Sequence, residues 1–137
     1  MIAALTVSPH RRRLGLYFQI HGHNIRFDDV IAFLSWVHRH VRRKLIVVLD
    51  RYSAHRKAVR LLKEARAEWL EVVWLPAYAP DLNPVEMVWN HSKYSTLANF
   101  IPDDLAHLEQ AVTASINDIR QMHRLRRSFF THAGLEL

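Results

Sequence analysis

The run Lys44-Leu45-Ile46-Val47-Val48-Leu49-Asp50 constrains this chain more than any other segment. An unbroken aliphatic stretch rich in β-branched residues fits a strand covered on both faces, central in a sheet rather than at its edge. It ends abruptly in a carboxylate. Open α/β sheets hold ligands just outside the carboxyl ends of their strands, which poises Asp50 for metal binding. The alternative is local: Asp50 caps the helix that follows.

The elements around this strand follow from periodicity. Ile2 to Val7 and Leu14 to Ile20 are strand-like runs separated by Ser8-Pro9-His10-Arg11-Arg12-Arg13, a basic turn between two antiparallel strands. Asp28 is an expected N-cap, and Val30, Phe33, Leu34 and Val37 line one face of a helix from about 29 to 41. Ala58, Leu61, Leu62 and Ala65 repeat with helical spacing, and Leu70 to Leu75 is a further short strand. The loop from Pro76 to Pro84 then leads into a helix that opens with Val85-Glu86 and ends near Leu97. From Pro102 onward, Leu105, Leu108, Val112, Ile116 and Ile119 form one stripe, the mark of a long terminal helix. Its end carries Arg120, Arg124, Arg126 and Arg127, which either complement the helix dipole or face a nucleic acid.

With 137 residues, half of them hydrophobic, the chain has the material for one domain. No cysteine is present, which removes disulfides, thiolate metal sites and thiol nucleophiles, and fits a reducing cytoplasm. The apolar runs are strand-sized, so a soluble protein without a membrane span is expected. An excess of 19 Lys and Arg over 13 Asp and Glu makes a polyanionic partner plausible, although the same charge also serves solubility.

Glu86 is the second carboxylate that stands apart. Asn83, Pro84 and Glu86 fit N-cap, N1 and N3 of a helix, so the glutamate has a capping role open to it as well as a catalytic one. Hard ions such as Mg²⁺ take carboxylate and water oxygens together with substrate phosphates, the set that Asp50 and Glu86 would offer. Paired ions about 3.5 to 4 Å apart serve in-line displacement at phosphorus.

Two segments carry a resemblance: Leu49-Asp50-Arg51-Tyr52-Ser53-Ala54-His55-Arg56, and Leu75 through Pro76-Ala77-Tyr78-Ala79-Pro80-Asp81-Leu82-Asn83-Pro84-Val85-Glu86-Met87-Val88-Trp89. Together they closely resemble the DDE transposases of bacterial insertion sequences in the mariner superfamily. That family sets its second acid in a strand-end D-x-x-x-x-H motif and its third in a Y-S-P-D-L-N-P-I-E-x-x-W motif. The resemblance implies an α/β, ribonuclease-H-like (retroviral-integrase-like) fold, a mixed sheet with flanking helices. It also implies Mg²⁺- or Mn²⁺-dependent cutting and transfer of transposon-end DNA. Carried across, Asp50 is the second catalytic acid and metal ligand, Glu86 the third, and His55 matches a family histidine. Asp81, Asn83 and Trp89 match positions that shape the loop and helix.

The first family acid lies on a central strand ahead of the hairpin, and no residue of this sequence takes its place; Asp28 and Asp29 come one element too late. Residues 1–137 are therefore expected to be a single, partial catalytic domain lacking that strand and the upstream DNA-binding region. The expected complement is an amino-terminal transposase segment or another copy of the chain. The other readings are a non-catalytic DNA-binding or regulatory fragment and a decayed remnant. Expected DNA contacts are Arg51, His55, Arg56 and Lys57 after the first motif, and Asn90 and Lys93, which share a helical face with Glu86. The pairs His21/His23 and His38/His40 are not expected to bind metal, the first because it sits near a strand end and the second because residues two apart diverge on a helix.

Overall fold

The computed structural model describes residues 1–11, 13–77 and 79–137. Arg12 of the basic turn and Tyr78 of the second motif thus lie outside the described residues. The chain divides into two compact units: Met1–Ile2 with His21–Pro80, and Ala3–Ile20 with Asp81–Leu137.

The first unit is built on a β-α-β crossover. Strand β3 (Leu45–Leu49) runs into α2 (Ser53–Glu64), which returns the chain to β4 (Leu70–Trp74). The strands pair in parallel, with Leu45 opposite Leu70 and Leu49 opposite Trp74. Two bonds prolong the ladder: Leu45 N–H donates to Trp69 O, and Leu75 N–H donates to Leu49 O. Helix α1 (Phe27–Val41) lies ahead of β3 in the chain. Its apolar stripe meets that of α2: Val30 and Leu34 pack with Ala58 and Leu62, and Val47 and Leu70 of the strands close the cluster.

The strand pair is covered on one face only, which corrects the expectation of a doubly covered β3. Exposure alternates along both strands, and the side chains of Ile46 (67% exposed), Val48 (55%) and Val73 (48%) face away from the helices. Among the described residues β3 has β4 as its only hydrogen-bonded neighbour. Without the second cover, an aliphatic run has an open side.

Helix α1 also begins earlier than expected. Its N-cap is Arg26, not Asp28, because the carboxylate of Asp29 at the third helical position reaches back and accepts the Arg26 backbone N–H at 2.8 Å. The far end closes on Arg42 in the left-handed conformation, whose N–H donates to His38 O.

In the second unit, β1 (Ile2–Val7) and β2 (Leu14–Gln19) form a two-stranded sheet. A connection this short can only serve an antiparallel hairpin, and Ser8 N–H donates to Arg13 O across it. Glycine at 15 makes room for the Thr6 side chain: a Cβ there would lie 2.4 Å from Thr6 Oγ1, which would have to shift. Leu16 of the hairpin packs with Val88 of α3 (Pro84–His91), Ile116 and Ile119 of α4 (Leu105–Gln121) and Phe129 of α5 (His123–His132).

Two sequence expectations change here. The helix that opens at Pro84 does not run on as an α-helix to Leu97: after His91 it widens into a π-helical turn, Ser92–Thr96. Ser92 at the head of that turn is buried, and its hydroxyl lies 2.8 Å from the buried hydroxyl of Ser115 on α4, a bond that fixes the turn against the core. The terminal helix is two helices, starting at the Asp104 N-cap, whose carboxylate accepts His107 N–H at 2.7 Å, and interrupted at Met122. Past the break, Arg126 serves neither a dipole nor a surface. It is buried, its guanidinium donates to Leu14 O at 2.8 Å, and burial, with Arg120 adding to it, lowers its pKa.

Candidate active site

Asp50 follows the last residue of β3, at the carboxyl end of the parallel pair, where backbone direction sends the side chain off the sheet. Its Oδ1 accepts the Tyr52 backbone N–H at 3.0 Å and lies 2.6 Å from His55 Nδ1. A carboxylate can only accept, so Nδ1 of His55 carries the proton. Both contacts fall on one oxygen, which leaves Oδ2 without a protein partner among the described residues, on a side chain that is 45% exposed. An oriented carboxylate with one oxygen open to solvent is a fitting ligand for a hard divalent ion. Asp50 does not cap α2, whose N-cap is Tyr52 with no side-chain cap bond; it holds the turn ahead of the helix through one oxygen only.

The neighbouring residues hold this corner in place. Arg51 Nε donates to the Leu75 carbonyl at 3.3 Å, tying the loop after β3 to the end of β4. The His55 ring, four-fifths buried, meets Tyr52 edge to face at 5.6 Å. Lys57 places its ammonium 3.7 Å from the centre of the Phe27 ring, a cation–π contact. Arg56 is exposed. Ile25, Arg26, Phe27, Tyr52, Ser53, Ala54 and Lys57 line a shallow groove beside the loop. The groove sets the cations of Arg26 and Lys57 beside the rings of Phe27 and Tyr52.

Glu86 belongs to the second unit, in the first turn of α3 and partly buried. The loop from Pro76 delivers it through a short 3₁₀ turn, Pro80–Leu82, and Asn83 caps the helix by accepting Val85 N–H on Oδ1 at 3.2 Å. Pro84 at the first helical position fixes the entry. Asn83 and Pro84 therefore shape the helix start as their types suggest. Asn90 is exposed on the last turn of α3, while Lys93 sits in the π turn with its ammonium 5.0 Å from the Tyr94 ring centre. A π turn changes the angle per residue, so the face shared by Glu86 and Asn90 does not extend to Lys93 by helical spacing alone.

Sequence reasoning missed one grouping. It set aside His21 and His23, yet the structure brings both to the carboxylate of Asp29. The missed signal was that these histidines sit in a loop that returns to a helix start, where spacing of two imposes no divergence. His38 stacks on Trp69, and His40 Nδ1 lies 2.8 Å from Trp36 O, so the second pair is spent locally.

No helix of the described residues is long and apolar enough to cross a membrane. No curated protein and no solved structure matches the chain. Among known families, a match to the DDE superfamily endonucleases extends over residues 4–109, from β1 into α4 and across both motif segments. With its mixed α/β architecture, small sheets and flanking helices, the chain belongs to the DDE superfamily endonuclease family.

Proposed function

We propose that this chain provides Asp50 and Glu86 as the second and third acids of a metal-dependent DNA transposase of the mariner-like insertion-sequence branch. In this reading residues 1–137 are part of a ribonuclease-H-like catalytic domain. The observation that carries it is the family match over both motifs, joined to an Asp50 carboxylate oriented at a strand end with one oxygen open. Asp50 and Glu86 would hold divalent cations, Mg²⁺ or Mn²⁺, which when bound supply activation of the attacking oxygen and charge neutralisation at phosphorus.

The chain's own residues prepare this chemistry. His55 and the Tyr52 amide fix the Asp50 rotamer, and Arg51 anchors its loop. Arg51, Arg56, Lys57, Asn90 and Lys93 are the exposed candidates for phosphate contact, positioning DNA without reading its sequence. Asp28 and Asp29 do not stand in for the first acid, since both lie in the first turn of α1. In this reading the first acid is supplied by a strand outside residues 1–137.

The test joins this chain to a segment carrying an aspartate-bearing strand and measures Mg²⁺- or Mn²⁺-dependent nicking of element-end DNA. Asp50→Asn and Glu86→Gln should each abolish nicking; activity surviving both removes the assignment. A second reading, a DNA-binding regulator that associates with intact transposase, draws on the net charge of +6 and the basic, aromatic groove. It expects DNA binding and co-purification with an intact transposase, both indifferent to Asp50→Asn.

A further inference from the structure

His21 and His23 flank Gly22 in the loop between β2 and α1, and Asp29 stands in the first turn of that helix. The loop folds back so that one ligand atom from each of the three lies within 4.8 Å of the other two. His21 Nδ1 is 3.4 Å from Asp29 Oδ1, and His23 Nδ1 is 3.6 Å from Asp29 Oδ2. The two imidazole rings meet edge to face at 5.3 Å.

These distances are long for hydrogen bonds, which for nitrogen and oxygen centre near about 2.9–3.0 Å. The two contacts run to different oxygens of the carboxylate, and the three ligand atoms, within 4.8 Å of one another, need only a small inward shift to reach the about 3.3 Å that bonds of about 2.0–2.1 Å set between ligand atoms in a tetrahedron. Asp29 is already organised for the task. Its Oδ2 accepts the Arg26 backbone N–H at 2.8 Å, which fixes the direction of the carboxylate. His21 is four-fifths buried, and its Nδ1, the nitrogen that faces Asp29, makes no hydrogen bond of ordinary length among the described residues. His23 Nδ1 also lies 3.0 Å from the Asn24 carbonyl, a contact on an exposed ring that the ion would replace.

The geometry points to a transition-metal site formed by His21, His23 and Asp29, selective for Zn²⁺-like ions and separate from the carboxylate chemistry of Asp50 and Glu86. Two imidazoles and one carboxylate suit Zn²⁺ and Co²⁺, whereas Mg²⁺ demands oxygen ligands and dehydrates reluctantly. Three protein ligands leave a position for water. Because the ligands join the start of the β2–α1 loop to the first turn of α1, the bound ion clasps the helix start. The site neither needs nor supplies a step of DNA cutting.

The test is titration of the whole chain with Co²⁺, followed by visible absorption, with Zn²⁺ as competitor. One equivalent should give the intense bands of a four- or five-coordinate ion, displaced by Zn²⁺ and unchanged in Asp50→Asn. His21→Gln with His23→Gln should weaken binding by about tenfold or more. Circular dichroism checks that the double variant is folded. Asp29→Asn, whose amide oxygen still accepts the Arg26 N–H, gives a second reading with the helix cap kept. Equal affinity in the parent and both variants would overturn the site, as would bands that disappear in Asp50→Asn.

Discussion

His55 Nδ1 lies 2.6 Å from Asp50 Oδ1, one turn into the helix that the aspartate's own loop introduces. The contact crosses five positions of sequence and turns a family histidine into the part that sets the direction of a carboxylate. Such partners of a ligating group shift metal affinity and activity by about 10- to 100-fold when removed. In the complemented nuclease, His55→Ala should therefore lower Mg²⁺-dependent nicking by about that factor. Raising Mg²⁺ should recover part of the loss, and urea unfolding should report a much smaller change. Nicking unaffected at all Mg²⁺ concentrations would show that the rotamer is held without it.

Asn83→Ala removes the acceptor for Val85 N–H at the start of α3. Loss of an N-cap of this type costs about 1 kcal/mol. Chemical denaturation should show that loss, and Asn83→Asp should restore most of it, since aspartate caps equally well.

Arg126→Ala leaves the Leu14 carbonyl without its donor and opens space in the second unit. Bonds to charged groups contribute about 1.5–3 kcal/mol, and a drop of that size is expected by denaturant titration. A change near zero would mean that the desolvation of this guanidinium already cancels its hydrogen bond.

Asp29 has a carboxyl held below its ordinary value of 3.8, first by the Arg26 backbone N–H and then by the two histidines. A depressed carboxyl stabilises the fold fully above its unfolded value and loses that contribution as pH falls through the lower folded one. Parent protein should therefore lose stability below about pH 4 more steeply than Asp29→Asn. Parallel acid-unfolding profiles would refute the role of that carboxylate.

The order of the elements could be read from spacing alone because each buries one stripe or one run. The face of α1 holding Val30, Phe33, Leu34 and Val37 is buried as its periodicity predicts, and the Asn83-Pro84 start of α3 is where the motif puts it. What escaped the sequence depends on contacts far along the chain. The π turn at Ser92 is held by Ser115, 23 residues on, and Arg126 is fixed by a carbonyl 112 residues away. No local pattern announces either partner. Asp50 and His55 were visible as types, but the bond between them depends on the turn at Tyr52. His21 and His23 were set aside for their place near a strand end, while their meeting with Asp29 is a property of the loop's return.

The bare aliphatic side of the β3–β4 pair has a practical consequence. Ile46, Val48 and Val73 form a sticky stripe beside a strand edge that has no ladder partner among the described residues, the combination that drives intermolecular zippering. Recombinant preparations would then behave better when diluted, or when co-expressed with whatever polypeptide shields that stripe, than when concentrated alone.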